Sequence, residues 1–268
     1  KIAELVANDE IPATGYDADG NVKVGYVGAY PYAEVVSGYT AFFLGIQSVY
    51  PDVVMEVSYT NSWFDITAEG TAAESLMADG CVIIGQHADS TGAPSAVQAK
   101  KDAGEVVYSV GYNIDMLEAA PTAALTSSQN NWSVLYRDTL EKFLAGEEIP
   151  ADYSVGITED AVMISTLGPE CAEGTQEAVD AAWAGIKDGS LQVFDTSKFT
   201  CQPSTDGTYQ VDADGHVTSC YAFDLDGDFV NDEASGEAIV DGAFQESVLR
   251  SAPYFALRID GITELNNN

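Results

Sequence analysis

Val53-Val54-Met55-Glu56-Val57 runs into Thr60-Asn61-Ser62-Trp63-Phe64-Asp65, and the same change of character recurs twice further on. Val82-Ile83-Ile84-Gly85 leads into Gln86-His87-Ala88-Asp89-Ser90-Thr91, and Val106-Val107-Tyr108-Ser109-Val110-Gly111 leads to Asn113-Ile114-Asp115. Each apolar run has the length of a buried strand. Each ends in groups that stack or hydrogen-bond. In an open parallel sheet, ligands collect beyond the carboxyl ends of the strands, where loops diverge and backbone groups are left free. Three such junctions predict one binding crevice.

The segments between these runs are helical in pattern. Over 34–49, Val35, Tyr39, Phe42, Phe43 and Ile46 recur at three- and four-residue steps, and Pro51 closes the stretch. Helices are predicted at 67–79, 93–103 and 132–145, strands at 22–27, 53–59, 81–85 and 106–111, with a further short run at 123–126. Strict alternation with crossovers of this length allows only parallel neighbours, so 22–145 reads as a doubly wound α/β lobe with right-handed connections. Residues 1–21 hold a short amphipathic piece and the turn Asp17-Ala18-Asp19-Gly20-Asn21. Residues 146–200 read as a hinge and return segments: a short strand pair within 153–165, an Ala-rich helix at 171–187 and a strand at 191–194. Residues 201–268 are turn-rich, with Asp206-Gly207 and Asp214-Gly215 as turn signals and weak helical spacing at 243–250.

Composition narrows the partners. The chain is 46% hydrophobic and 20% charged, and no apolar stretch approaches the ~18 residues of a transmembrane helix. Against 10 basic residues stand 43 acidic ones, a formal charge of −33. Such a surface repels phosphate backbones and anionic lipid, so a nucleic acid partner is excluded.

The first loop places an indole and a phenyl ring, Trp63 and Phe64, beside the polar side chains of Asn61 and Asp65, a combination suited to stacking on a flat ring and bonding its edge. The competing reading makes the rings a cap on the core and Asp65 the N-cap of the next helix. In the second loop, Gln86, His87, Asp89 and Ser90 supply donors and acceptors. A nucleophile, base and orienter drawn from Ser90, His87 and Asp89 would lie within four positions on one loop, which rarely converges into a triad, so ligand hydrogen bonding is the better use. In the third loop, Asn113 and Asp115 follow a strand end; Asp115 either caps a turn or binds ligand, and its position favours binding. No phosphate-cradling glycine pattern and no metal-ligand spacing of Cys and His occurs, and the reading calls for no cofactor.

Cys201 and Cys220 flank the polar segment 202–219, which has little means of ordering itself through a core. A disulfide between them is expected, closing a loop worth ~3 kcal/mol and suiting an exported protein. Asp224, Asp226, Asp228 and Asp232 have the alternating spacing of an oxygen cage for Ca²⁺. They depart from the EF-hand pattern in the position of Gly227 and the lack of a closing Glu, and a solvated acidic turn is the competing reading.

Gly25-Tyr26-Val27-Gly28-Ala29-Tyr30-Pro31-Tyr32-Ala33-Glu34-Val35, then 60–65, 86–90 and Gly111-Tyr112-Asn113-Ile114-Asp115-Met116 resemble, in order and spacing, the basic membrane protein family of substrate-binding lipoproteins of ABC transporters. Asp188-Gly189-Ser190-Leu191-Gln192-Val193-Phe194 is similar to the family's late helix-to-strand junction. The resemblance covers about 1–195 and implies a type I periplasmic-binding fold of two α/β lobes closing on a ligand by hinge motion. It also implies that Trp63 stacks on a purine base or nucleoside, that the 86–90 loop, Asn113 and Asp115 hydrogen-bond base or sugar, and that Tyr30 lines the cleft. A membrane permease follows as partner, with an exported, lipid-anchored precursor. Members carry roughly a hundred further residues ahead of the position of Lys1, forming most of a first lobe. This chain is therefore expected to be a fragment holding one nearly complete lobe, its opposite wall belonging to a separate N-terminal fragment. A nucleoside-metabolising enzyme and an acidic interaction module that has lost its ligand are the alternatives.

Overall fold

Helix α1 (Ile2–Ala7) precedes five parallel strands, β1 (Val22–Gly28), β2 (Val53–Tyr59), β3 (Ile83–His87), β4 (Tyr108–Tyr112) and β5 (Ala124–Asn130). Between and after them run α2 (Ala33–Gln47), α3 (Ile66–Ala78), α4 (Gly92–Asp102) and α5 (Trp132–Ala145). The chain continues through β6 (Val162–Ile164), α6 (Thr175–Asp188), β7 (Tyr209–Val211), β8 (Val217–Cys220), β9 (Ile239–Val240), β10 (Ala243–Phe244) and β11 (Ile262–Glu264). This computed structural model describes residues 1–225, 228, 230, 232–248 and 253–266.

The main sheet has the order β11-β2-β1-β3-β4-β5-β6, so the doubly wound arrangement is present, with its strand order reversing between β1 and β3. Its helices divide between two faces. On one, α3 buries Glu69, Ala73, Leu76 and Met77 and packs with α4 against Val27, Ile84 and Val107. On the other, α2 buries Val35, Tyr39 and Phe43 against Val24, Met55 and Val57. β1 and β3, at the centre, are buried almost throughout because both faces are covered, whereas β2 alternates buried and part-exposed residues.

The region after 195 covers α2 rather than hanging free. Phe194, Phe199, Phe223, Phe244 and Phe255 join the same core as Val35 and Phe43. Phe255 sits at its centre, fully buried, with ring centroids 4.4 Å from Phe194 and 4.8 Å from Phe244. Strand β11 adds to the sheet edge beside β2. There Glu264 Oε1 accepts the hydroxyls of Tyr39 and Tyr59, each at 2.6 Å, and Arg258 Nε at 3.0 Å. Asn266 clasps the backbone of Tyr59 through both its N–H and its carbonyl, each at 2.8 Å.

Several expectations are corrected. Residues 191–194 form a turn that delivers Phe194 to the aromatic core; pairing with β10 goes no further than Phe194 O accepting Phe244 N–H at 3.0 Å and an isolated bridge from Asp195 to Ala243. Within 153–165 only β6 is a strand, and it pairs antiparallel with β5; Ile157–Glu159 forms a short 3-10 turn. At 243–250 the described residues hold β10 and a turn instead of a helix, with Phe244 captured by the other phenyl rings. Cys201 and Cys220 are free thiols, both buried in the core, where desolvation pushes each up to about 12. The segment between them is ordered by the β7/β8 hairpin and by Cys201 N–H donating to Gly215 O at 2.9 Å, not by a covalent staple.

Among the described residues no group of three or more His, Cys, Asp or Glu side chains that could hold a metal ion occurs. Asp226 lies outside them. Asp228 turns back on Val230 N–H at 2.8 Å, and Asp232 on Ala234 N–H at 2.9 Å, while Asp224 adopts φ 47°. Asp228 and Asp232 thus cap their own turns.

Candidate functional site

The carboxyl ends of β1, β2, β3 and β4 lie side by side, and the residues just beyond them build a wall of rings. After β1, Tyr30 and Tyr32 stack on each other at 4.8 Å and 9°. From the loop after β2, Trp63 tilts onto both, 5.5 Å from Tyr30 and 6.1 Å from Tyr32. His87, at the end of β3, meets Trp63 edge-on at 6.5 Å and lies 4.2 Å from Tyr112, which ends β4. This is the point where the strand order reverses, and the crevice there is formed by backbone connections running to opposite faces of the sheet. Tyr32 is half exposed and Trp63 half-buried, so the wall has a free surface.

Polar groups sit at its edge. Asn113 adopts φ 71°, a left-handed conformation that Asn tolerates, and its amide donates to Asp89 Oδ1 at 3.3 Å. Asp89 N–H in turn donates to Trp63 O at 2.7 Å, tying the second loop to the first. Asn61 is exposed, and its φ of 55° makes it the hinge of the loop that presents Trp63.

Other candidates do different work. Gln86 is buried, and its amide donates to Ala88 O at 2.7 Å and Ser90 O at 3.1 Å, so it shapes its own loop. Ser90 is buried as well; its Oγ accepts Gly92 N–H at 3.1 Å and starts α4. Among the described residues no hydrogen bond links it to His87. Asp115 is exposed and caps a turn through Leu117 N–H at 2.9 Å. Phe64 is 64% exposed and stands outside the ring cluster. Asp65 is the N-cap of α3, accepting Thr67 and Ala68 N–H at 3.0 and 2.9 Å. Of the residues read from sequence, then, Tyr30, Trp63, His87, Asp89 and Asn113 come together. Tyr32 and Tyr112 were missed. The alternation Tyr30-Pro31-Tyr32 held the signal for the first, since two residues of extended chain return a side chain to the same side.

His87 is buried, and its Nδ1 has no hydrogen-bond partner among the described residues. It packs so closely on α2 that a Cβ at Gly38 would meet Nδ1 at 2.7 Å, which explains the glycine. Burial lowers its pKa to about 4. The ring is therefore a neutral surface at physiological pH. Because the folded state refuses a proton that the unfolded chain accepts, His87 lowers stability progressively as pH falls from about 6.5 to about 4 and adds no further loss below that. The other histidine shifts oppositely: His216 Nδ1 lies 2.9 and 2.8 Å from the carbonyls of Thr196 and Phe199, and these bonds raise its pKa. An NMR titration should show two imidazoles, one still neutral at pH 5 and one titrating above its ordinary value; two coincident curves near 6.5 would contradict the buried placement.

Comparison with known proteins bears on this geometry. Residues 20–195 match the Bmp family, described as ABC transporter substrate-binding protein, PnrA-like. A protein of Haloferax volcanii named as an ABC transporter glucose-binding protein is 34% identical over 187 residues, 70% of this chain and 46% of the relative. A purine-binding protein of Brucella abortus is 35% identical over 170 residues, 63% of this chain and 47% of the relative. The chain thus spans about half the length of the curated relatives it matches. A solute-binding protein structure from Aeropyrum pernix superposes with a TM-score of 0.57 at 18% identity, covering 77% of this chain and 64% of that one, which agrees on the fold. With the strand order, the loops and the matched span in agreement, this chain belongs to the Bmp family of PnrA-like ABC transporter substrate-binding proteins.

Proposed function

We propose that the ring wall holds a flat heterocycle, a purine base or purine nucleoside, and that the protein is the solute-binding component of an ABC transporter, releasing its ligand unchanged to a membrane permease. The observation that carries this reading is the cluster of Tyr30, Tyr32, Trp63 and Tyr112 around a neutral His87, with the Asn113–Asp89 pair at its edge. Stacked rings with a few fixed polar groups suit a planar ligand. The two relatives carry different ligand names, glucose and purine, so the chemistry of the wall has to choose between them. A sugar needs many side-chain hydrogen bonds to its hydroxyls, whereas here Gln86 and Ser90 are spent inside their own loop.

The opposite wall of the cleft, in this reading, comes from a second lobe outside these residues. Supporting it, α5 has no buried residue and presents Trp132, Tyr136, Leu140, Phe143 and Leu144 to solvent along one flank. An exposed stripe of that kind marks a contact surface. Export and a lipid anchor on the full precursor belong to the same proposal; no helix of the described residues is long and apolar enough to cross a membrane.

Thermal unfolding with adenine, hypoxanthine, adenosine and glucose, run on this chain and on one extended to the relatives' length, tests the reading. A ligand at 100 times its Kd adds ~2.7 kcal/mol. A purine should raise Tm and be recovered unaltered; stabilisation by glucose and by no purine, or by neither, would overturn it.

A further inference from the structure

Behind the ring wall lies a carboxylate that none of the loops contains. Glu69, in the first turns of α3, is fully buried, an uncommon place for an acidic side chain without a partner of opposite charge. Its two oxygens face different loops. Oε1 accepts the backbone N–H of Asp65 at 3.1 Å, at the end of the Trp63 loop, and Oε2 accepts the N–H of Ser90 at 3.3 Å, in the loop after β3. A carboxylate is the one side chain that offers an acceptor on both sides; glutamine would turn its NH₂ toward one of the two N–H groups.

Close packing makes this position available. Gly92 opens α4 where a Cβ would meet Ile66 O at 2.3 Å and the Cβ of Glu69 at 3.0 Å, so the amino ends of α3 and α4 converge on the carboxylate and offset its charge. Burial still pushes its pKa up, against the pull of the Ser90 bond. The two loops are also tied by the bond from Asp89 N–H to Trp63 O and by the edge-on contact of Trp63 with His87.

We infer that Glu69 is the positioning residue of the ring wall: by joining the Trp63 loop to the 88–90 loop from behind, it fixes where the indole stands and holds Asp89 against Asn113. It touches no ligand. Its importance to binding rests on the reading proposed above, but its effect on Trp63 does not, and the two can be separated.

The experiment uses a chain in which Trp63 is the sole tryptophan, through Trp132→Phe and Trp183→Phe. Emission and acrylamide quenching of Trp63 are read without ligand, alongside Kd for adenine and the thermal transition. In Glu69→Ala, at a temperature where circular dichroism shows the fold intact, Trp63 emission should shift to the red, quenching should rise severalfold and Kd for adenine should rise about tenfold. Glu69→Gln, which keeps one of the two acceptors, should fall between Ala and the parent and serves as the deciding variant if Ala does not fold. Unchanged Trp63 emission and quenching in a folded Glu69 variant would overturn the inference and leave Glu69 a plain structural residue. Absence of adenine binding both in the parent chain and in the parent extended to the relatives' length would defeat the purine reading instead, leaving the fluorescence result to decide Glu69.

Discussion

Phe255→Ala is expected to lower folding stability by about 3–5 kcal/mol, as deletion of a fully buried phenyl ring does when its surroundings cannot collapse. The surroundings are rigid: Phe255 stacks on Phe194 at 29° and meets Phe199 and Phe244 at 6.1 and 4.8 Å. Those residues come from three stretches after 193, so the cavity would open where the chain beyond the α/β lobe is joined to it. Urea denaturation of the two proteins gives the difference directly. A loss below about 1 kcal/mol, in the range of a surface substitution, would show that the region after 195 is not one cooperative unit with the sheet.

Trp63→Ala has the largest expected effect on binding: about 1–3 kcal/mol, roughly 5- to 150-fold in Kd for a purine, the cost of losing one stacking platform. Stability should change far less than in Phe255→Ala, because Trp63 is half-buried and its ring neighbours Tyr30 and Tyr32 are themselves partly exposed. Calorimetric titration and urea denaturation on the same variant separate the two roles. A large stability loss with unchanged affinity would place the indole in the core and remove the wall's central ring from ligand recognition.

The alternation of strand and helix from 22 to 145 was readable because buried parallel strands advertise themselves as apolar runs, and β2 falls at the predicted 53–59. The ring wall was half readable. Trp63 and Tyr30 stand out by type, whereas Tyr112 looks like the end of a strand until its 4.2 Å approach to His87 is known. Gln86, Ser90 and Asp115 were ambiguous for one reason: a polar side chain after a strand serves a ligand or its own backbone equally well, and here each makes a local backbone hydrogen bond. Glu69 left no mark, since an acidic residue in a first turn ordinarily serves the helix dipole at the surface. Beyond 195 the signal fails because phenyl rings in turns carry no period; Phe199, Phe223, Phe244 and Phe255 find one another across long loops.

Strand β11 carries a kinetic consequence. The side chain of Asn266 grips the backbone of Tyr59 across 207 residues of sequence, and β11 is the neighbour that β2 lacks until then. On the ribosome the lobe can fold through β5 while one margin of its sheet stays raw, with open N–H and carbonyl groups ready to recruit another nascent chain. Premature termination short of residue 262 would leave that margin bare for good, so truncated products should precipitate rather than accumulate as soluble half-finished chains, as sedimentation of the expressed fragments would show.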